Sequence, residues 1–144
     1  MRQRLAMAAG LYVVFASLGT FIAVTQRLPY HFGGDGDPNN VWRDFVQGSG
    51  TAMSPPLGAL ALFAVATLLA MVRHWVGRIG AVVTVLLGLV FLIGALGEPL
   101  TFDSLNPSNP DPWKAMVQWL EILMAGFVVV YGVKAIFGRE GRER

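Results

Sequence analysis

Residues 113–137 read WKAMVQWLEILMAGFVVVYGVKAIF, and this stretch decides the fold class. As a helix it would be roughly 37 Å long at about 1.5 Å per residue. The hydrocarbon core of a bilayer is roughly 30 Å thick, so the segment can cross it with some tilt. Its one acidic residue, Glu121, would sit about 12 Å along the axis from Trp113 by the same rise. A carboxyl group at that depth must be protonated, paired or in contact with water, so Glu121 is the candidate polar site of the membrane interior.

Three further apolar stretches, residues 5–25, 55–72 and 79–97, are each near the length needed to span. The pattern predicts an all-α integral membrane protein, a single domain over residues 1–144 built as a bundle of four transmembrane helices. A basic tail follows at 138–144. Charged residues make up only 14% of the chain, against roughly 25% in a soluble domain, which points to lipid as the solvent. There is no cysteine, so disulfides, thiol catalysis and thiolate metal sites are excluded. The net charge is only +2 and the basic residues lie mostly at segment ends, a distribution suited to membrane anchoring and not to nucleic acid. Met1-Arg2-Gln3-Arg4 resembles the basic start of a signal peptide. The apolar run behind it exceeds the usual core of roughly 7–15 residues and no small-x-small cleavage site follows, so it reads as a retained helix.

The connections set the orientation. Arg2, Arg4, Arg73, Arg78, Lys134, Arg139, Arg142 and Arg144 fall on one side, and only Arg27, Arg43 and Lys114 on the other. Eight against three is a positive-inside bias. It predicts an inner (plasma) membrane protein of bacterial type, with both termini cytoplasmic and two long loops facing outward. In the first of these loops Asp37-Pro38 is a helix-start signal, because Asp accepts from free N–H groups and Pro suits the first helical position. Val41, Trp42, Phe45 and Val46 follow at helical spacing before Gly48. This predicts a short amphipathic helix over 38–47 lying in the outer interface. Ser54-Pro55-Pro56 and Asp111-Pro112 give similar starts for the second and fourth spans.

Small residues let helices approach closely in lipid. Ala59, Ala66 and Ala70 fall on one side of the second stretch, with Phe63 between them, so close approach is expected around Ala66 and Ala70. Gly80, Thr84 and Gly88 make an unbroken row on the third. On the fourth, Lys114, Gln118 and Glu121 share a polar face that should turn inward. Ser17 and Thr20 lie at similar depth on the first stretch and are the expected hydrogen-bond partners of Glu121.

The outer acidic set is Asp35, Asp37, Asp44, Glu98, Asp103 and Asp111. Asp35, Asp37 and Asn39 match the start of a calcium loop, but Asn40 replaces its glycine and Val46 its bidentate Glu, so caps and turns explain these residues better. His31 and His74 fall on opposite sides of the membrane and cannot share a metal. Ser54 has no histidine evidently positioned to activate it, and no phosphate loop is present. No metal and no cofactor is expected, and no base and nucleophile visibly converge, which disfavours an enzyme. The expected partners are the bilayer and either a membrane protein or a second copy of this chain. The favoured function is association, as accessory subunit or scaffold of a membrane complex. The alternative is a small oligomeric transporter or channel using Glu121 as a proton or cation site.

Overall fold

A computed structural model describes residues 1–31, 36–105 and 111–138. In chain order the helices are α1 (Arg2–Thr25), α2 (Val41–Gln47), α3 (Leu57–Met71), α4 (His74–Gly97), α5 (Pro99–Asp103) and α6 (Pro112–Phe137). No strand occurs among the described residues, only an isolated bridge between Thr51 and Ser54. Three helices, α1, α4 and α6, are long and apolar enough to cross a membrane. Their surfaces carry exposed Phe21, Val90, Ile93 and Val130 among many other large apolar side chains. Such a surface is a liability in water and the normal outer face of a membrane protein. The apolar helix α3 has 15 residues and would be about 22 Å long at 1.5 Å per residue, shorter than the other three.

The helices pack α1 on α6, α6 on α4, α4 on α3 and α3 on α1. Only Val72 and Arg73 separate α3 from α4, so the two run antiparallel. Arg2, Arg73, Arg78, Ala135 and Gly138 gather around one recess, which places the start of α1, the α3–α4 link and the end of α6 at a common basic end. The Arg2 guanidinium donates there to the Val72 carbonyl. The described parts of the long connections, 26–31, 36–56 and 98–105, lie at the other end.

Helix boundaries differ from apolar boundaries in instructive ways. The third apolar stretch begins at 79, but α4 starts at His74, because the polar turn His74–Arg78 continues the helix past the apolar run. His74 opens it with φ of 71°, a left-handed conformation imposed by the tight link. In the first loop, Asp37 does not cap the helix directly. Its carboxylate accepts from the Asn39 N–H at 2.8 Å and the Asn40 side chain at 2.6 Å, making a turn that precedes α2. These donors, the Asn39 N–H first, hold the Asp37 carboxyl below its ordinary pKa. Val41 and Phe45 of α2 are buried, while Trp42 and Val46 are exposed. The five-residue α5 repeats the acid-proline start at Glu98-Pro99, a signal not used in predicting the loop. At the head of α6 the Asp111 side chain accepts from the Lys114 N–H at 3.1 Å and pairs with its ammonium at 3.0 Å. Lys114, by its side chain first and its backbone second, holds the Asp111 carboxyl below its ordinary pKa.

α1 ends without glycine. Leu28 N–H reaches back to the Ala23 carbonyl at 2.8 Å and Arg27 N–H to Val24 at 3.4 Å, with Arg27 in the left-handed region at φ 55°. This is the pairing of a Schellman closure, and Leu28 packs beside Ile22 and Ala23 as that motif requires.

The core centres on three rings. Tyr12 stacks on Phe91 and meets Phe63 edge-on, each at 5.4 Å between centroids, and Phe63 lies 5.5 Å from Phe91. They tie α1, α3 and α4 together, each pair contributing about 0.5–1.5 kcal/mol beyond simple contact. Toward the basic end the helices come closer. A Cβ on Gly80 would lie 2.8 Å from the Ala66 carbonyl oxygen and closer still to the Ala70 nitrogen. The Thr84 hydroxyl turns back onto the Gly80 carbonyl, and Gly88 faces Val128 of α6. Ala66 and Ala70 are buried as expected; Ala59 is only partly so.

Ala66→Leu or Ala70→Leu should therefore push α3 off Gly80, with an overpacking cost of about 1–3 kcal/mol. Ala64 is exposed, so Ala64→Leu should cost little. Thermal unfolding in detergent checks this: the first two midpoints should fall by several degrees relative to the third, and equal midpoints would contradict the contact.

Candidate functional site

The segment Ser49–Pro56 leads from α2 into α3 without being helical, yet Thr51, Ala52, Met53 and Ser54 are all buried. Buried irregular backbone needs internal partners. Thr51 N–H donates to the Ser54 carbonyl at 2.8 Å, Met53 N–H to the Thr51 hydroxyl at 3.2 Å, and Ala52 N–H to the Leu28 carbonyl at 3.4 Å. The Ser54 hydroxyl bonds that of Thr20 on α1 at 2.7 Å and that of Thr51 at 3.1 Å. Gly19 of α1 lets this turn approach, since a Cβ there would lie 2.5 Å from the Met53 carbonyl oxygen.

Beside this segment the helices stand apart and line a partly open cavity of about 280 Å³. Its walls come from Tyr12 of α1, Ala59 of α3, Leu87, Phe91, Gly94 and Ala95 of α4, and Gln118 and Glu121 of α6. Tyr30, Glu98 and the 49–56 segment complete it. Ala59 thus acts less as a helix contact than as a small wall residue that leaves room. No Lys, Arg or His lines the cavity among the described residues.

Gln118 and Glu121 are 2% and 3% exposed, and both sit one turn apart on the same face of α6. The Gln118 amide nitrogen donates to the Thr101 hydroxyl at 3.0 Å. That hydroxyl in turn donates to the Ala95 carbonyl. Its one hydrogen is committed there, so toward Gln118 it can only accept. This fixes the amide orientation and leaves Gln118 Oε1 turned away from Thr101. Gln118 Oε1 and Glu121 Oε2 are both buried and have no hydrogen-bond partner among the described residues. The Tyr12 hydroxyl is the polar neighbour of the Glu121 carboxyl.

The partners expected of Glu121 are elsewhere. Ser17 is exposed and its hydroxyl donates to the Val13 carbonyl at 2.7 Å. Thr20 bonds the Ala16 carbonyl at 2.9 Å and Ser54, as above. The rotation of α1 is the reason: its packed face runs through Ala9, Tyr12, Ala16, Gly19 and Ala23, and Ser17 lies off it. That row of small residues around Tyr12 was the signal that could have found it.

The outer acidic residues do not converge. Asp35 lies outside the described residues. Asp37 holds its turn, Asp103 is exposed, and Asp111 caps α6. Glu98 alone enters the cavity wall. It is buried and accepts the His31 N–H at 3.0 and 3.1 Å, with His31 Nδ1 at 3.8 Å, fastening the residues after α1 to the start of α5. Among the described residues no group of three His, Cys, Asp or Glu could hold a metal.

The Gly19 contact makes a paired test. Gly19→Ala should displace the Met53 turn and lower stability by about 1–3 kcal/mol. Gly10→Ala on the same helix meets open space and should be neutral or raise stability by about 0.5–1 kcal/mol. Unfolding midpoints in detergent that move together would refute the contact.

The chain matches no known protein family, no characterised protein and no solved structure.

Proposed function

We propose that this is a four-span inner-membrane protein that admits a small cation from the outer side to Glu121, working as a small transporter or channel-like unit. One observation carries the reading. Two buried acceptor oxygens, on Gln118 and Glu121, have no donor among the described residues, and both residues line a cavity that no basic side chain of the described residues enters. A carboxyl group inside a membrane protein is a functional site by default, and here it has a chamber beside it. In this reading α3 is the fourth span. Its shortness is made up by the buried 49–56 segment, since irregular backbone at membrane depth is tolerated where protein surrounds it. The clustering of Arg2, Arg73 and Arg78 at one end supports placing that end in the cytoplasm.

The second reading is association with a larger membrane protein or a second copy. Gly58 on α3 supports it, because it is exposed and an added Cβ meets open space, so a foreign helix could come close there. Purification in mild detergent separates the two: co-purification of a stoichiometric partner favours the second, a homogeneous species of this chain the first.

Two experiments test the proposal. The chain has no cysteine, so single cysteines at Asn40, Asp103 and Trp75 can be probed with an impermeant thiol reagent on intact cells. Labelling of the first two and not the third is expected, and the reverse pattern would overturn the orientation. A hydrophobic carbodiimide should modify Glu121 in the full chain reconstituted in liposomes, giving an adduct that peptide mass mapping places on that residue. Glu121→Gln should abolish this adduct with the unfolding midpoint nearly unchanged, since the amide keeps the shape of the acid. Absence of the adduct in the wild type would mean a sealed, structural carboxyl and end the cation-site reading.

A further inference from the structure

The chemistry of the cavity restricts what could occupy it. The two free acceptors, Gln118 Oε1 and Glu121 Oε2, come from positions one turn apart on α6. With Glu121 ionised, a single group that satisfies both must bring at least two hydrogens. A neutral hydroxyl brings one, so it can satisfy only one acceptor. A primary ammonium brings three, together with a charge that answers the carboxyl. The remaining wall is largely apolar, formed by Ala59, Leu87, Phe91 and Ala95, and suits a hydrocarbon or aromatic body. The rings of Tyr12 and Phe91 add aromatic surface, which attracts cations. Glu98 also stands in the wall, where its carboxylate accepts the His31 N–H. The volume of about 280 Å³ lies at the lower edge of ligand pockets, roughly 300–1,000 Å³, which suits a one-ring molecule and not a lipid.

We propose that the cavity binds a small primary ammonium compound with an apolar body, its ammonium donating to Glu121 and to Gln118 Oε1 while its body lies against Ala59, Leu87 and Phe91. This rests on the reading of Glu121 as a cation site and names the class of solute.

The test uses the carbodiimide adduct of Glu121 in the full chain in liposomes, with phenethylammonium as the probe. Phenethyl alcohol serves as its neutral counterpart, and sodium and potassium chloride as inorganic cations. At neutral pH, millimolar phenethylammonium should slow modification of Glu121 about tenfold, while the alcohol and the two salts leave it within about twofold. Gln118→Leu should retain the adduct but raise the phenethylammonium concentration needed for protection about tenfold. Protection by the alcohol as strong as by the ammonium would overturn the assignment in favour of a neutral ligand. Equal protection by sodium or potassium would overturn it in favour of an inorganic cation. An adduct that forms but that nothing protects would overturn the ligand class, leave Glu121 as an accessible site and assign the two free acceptors to bound water. No adduct at all would overturn the cation-site reading itself, so the two failures are distinguishable.

Discussion

A carboxyl group placed inside a membrane-crossing helix must be given polar surroundings by the rest of the chain. Glu121 imposes that demand here. Lipid offers no donor, so the face of α6 that carries Glu121 has to turn inward. Once it does, Gln118 is carried inward one turn before it, with Ala125 and Gly132 following on the same side. The inward face of α6 is therefore polar toward the long connections and small toward the basic end, and the rest of the structure follows this division.

At the basic end the helices are in backbone-level contact. Gly80 meets the backbone of α3, and Gly132 admits Val85 of α4 and Leu5 of α1. The buried Thr67 and Thr84 on the facing sides donate their hydroxyls to their own helices, at the Phe63 and Gly80 carbonyls. At the other end the same approach would bury Gln118 and Glu121 against apolar atoms. The structure avoids this by replacing the first turn of a longer α3 with the irregular 49–56 segment. That segment brings its own hydroxyls, from Thr51 and Ser54, and anchors them on Thr20. Pro55 and Pro56 suit the junction, because a proline disfavours helix in the residue before it. The cavity is thus the consequence of one helix being stopped short beside another that carries a carboxyl.

Much of this was legible in the sequence. Hydropathy picked out four apolar stretches as spans, and three of them form helices long and apolar enough to cross a membrane, while the helix of the 55–72 stretch is shorter. The small residues Ala66, Ala70 and Gly80 announced their contact, since only small side chains allow backbones that near. Helical periodicity puts Gln118 and Glu121 on one face, and both are buried on α6. What the sequence concealed was the rotation of α1. Its apolar residues surround it almost evenly, so nothing in hydropathy separates the Tyr12 face from the Ser17 face. The 49–56 segment was concealed for a related reason: apolar character continues through Pro55 and Leu57, and hydropathy does not register where helical hydrogen bonding begins. Asp35 and part of the second loop lie outside the described residues; Asp37 holds a turn and Asp111 a cap, while Glu98 stands in the cavity wall.

The polar chain from Glu121 outward also explains why α5 exists. Thr101 is the only described group that holds the Gln118 amide, and it does so while donating to Ala95 near the end of α4. Glu98, three residues earlier, holds the His31 N–H. A five-residue helix has little stability of its own. Its place is set by these two ties, one to each long connection's neighbour in space. The orientation of Gln118, and with it the direction of its free oxygen, thus depends on a loop helix that is itself fastened to the chain leaving α1. The residues that give the cavity its chemistry are on the long helices, but the residues that aim them are in the connections.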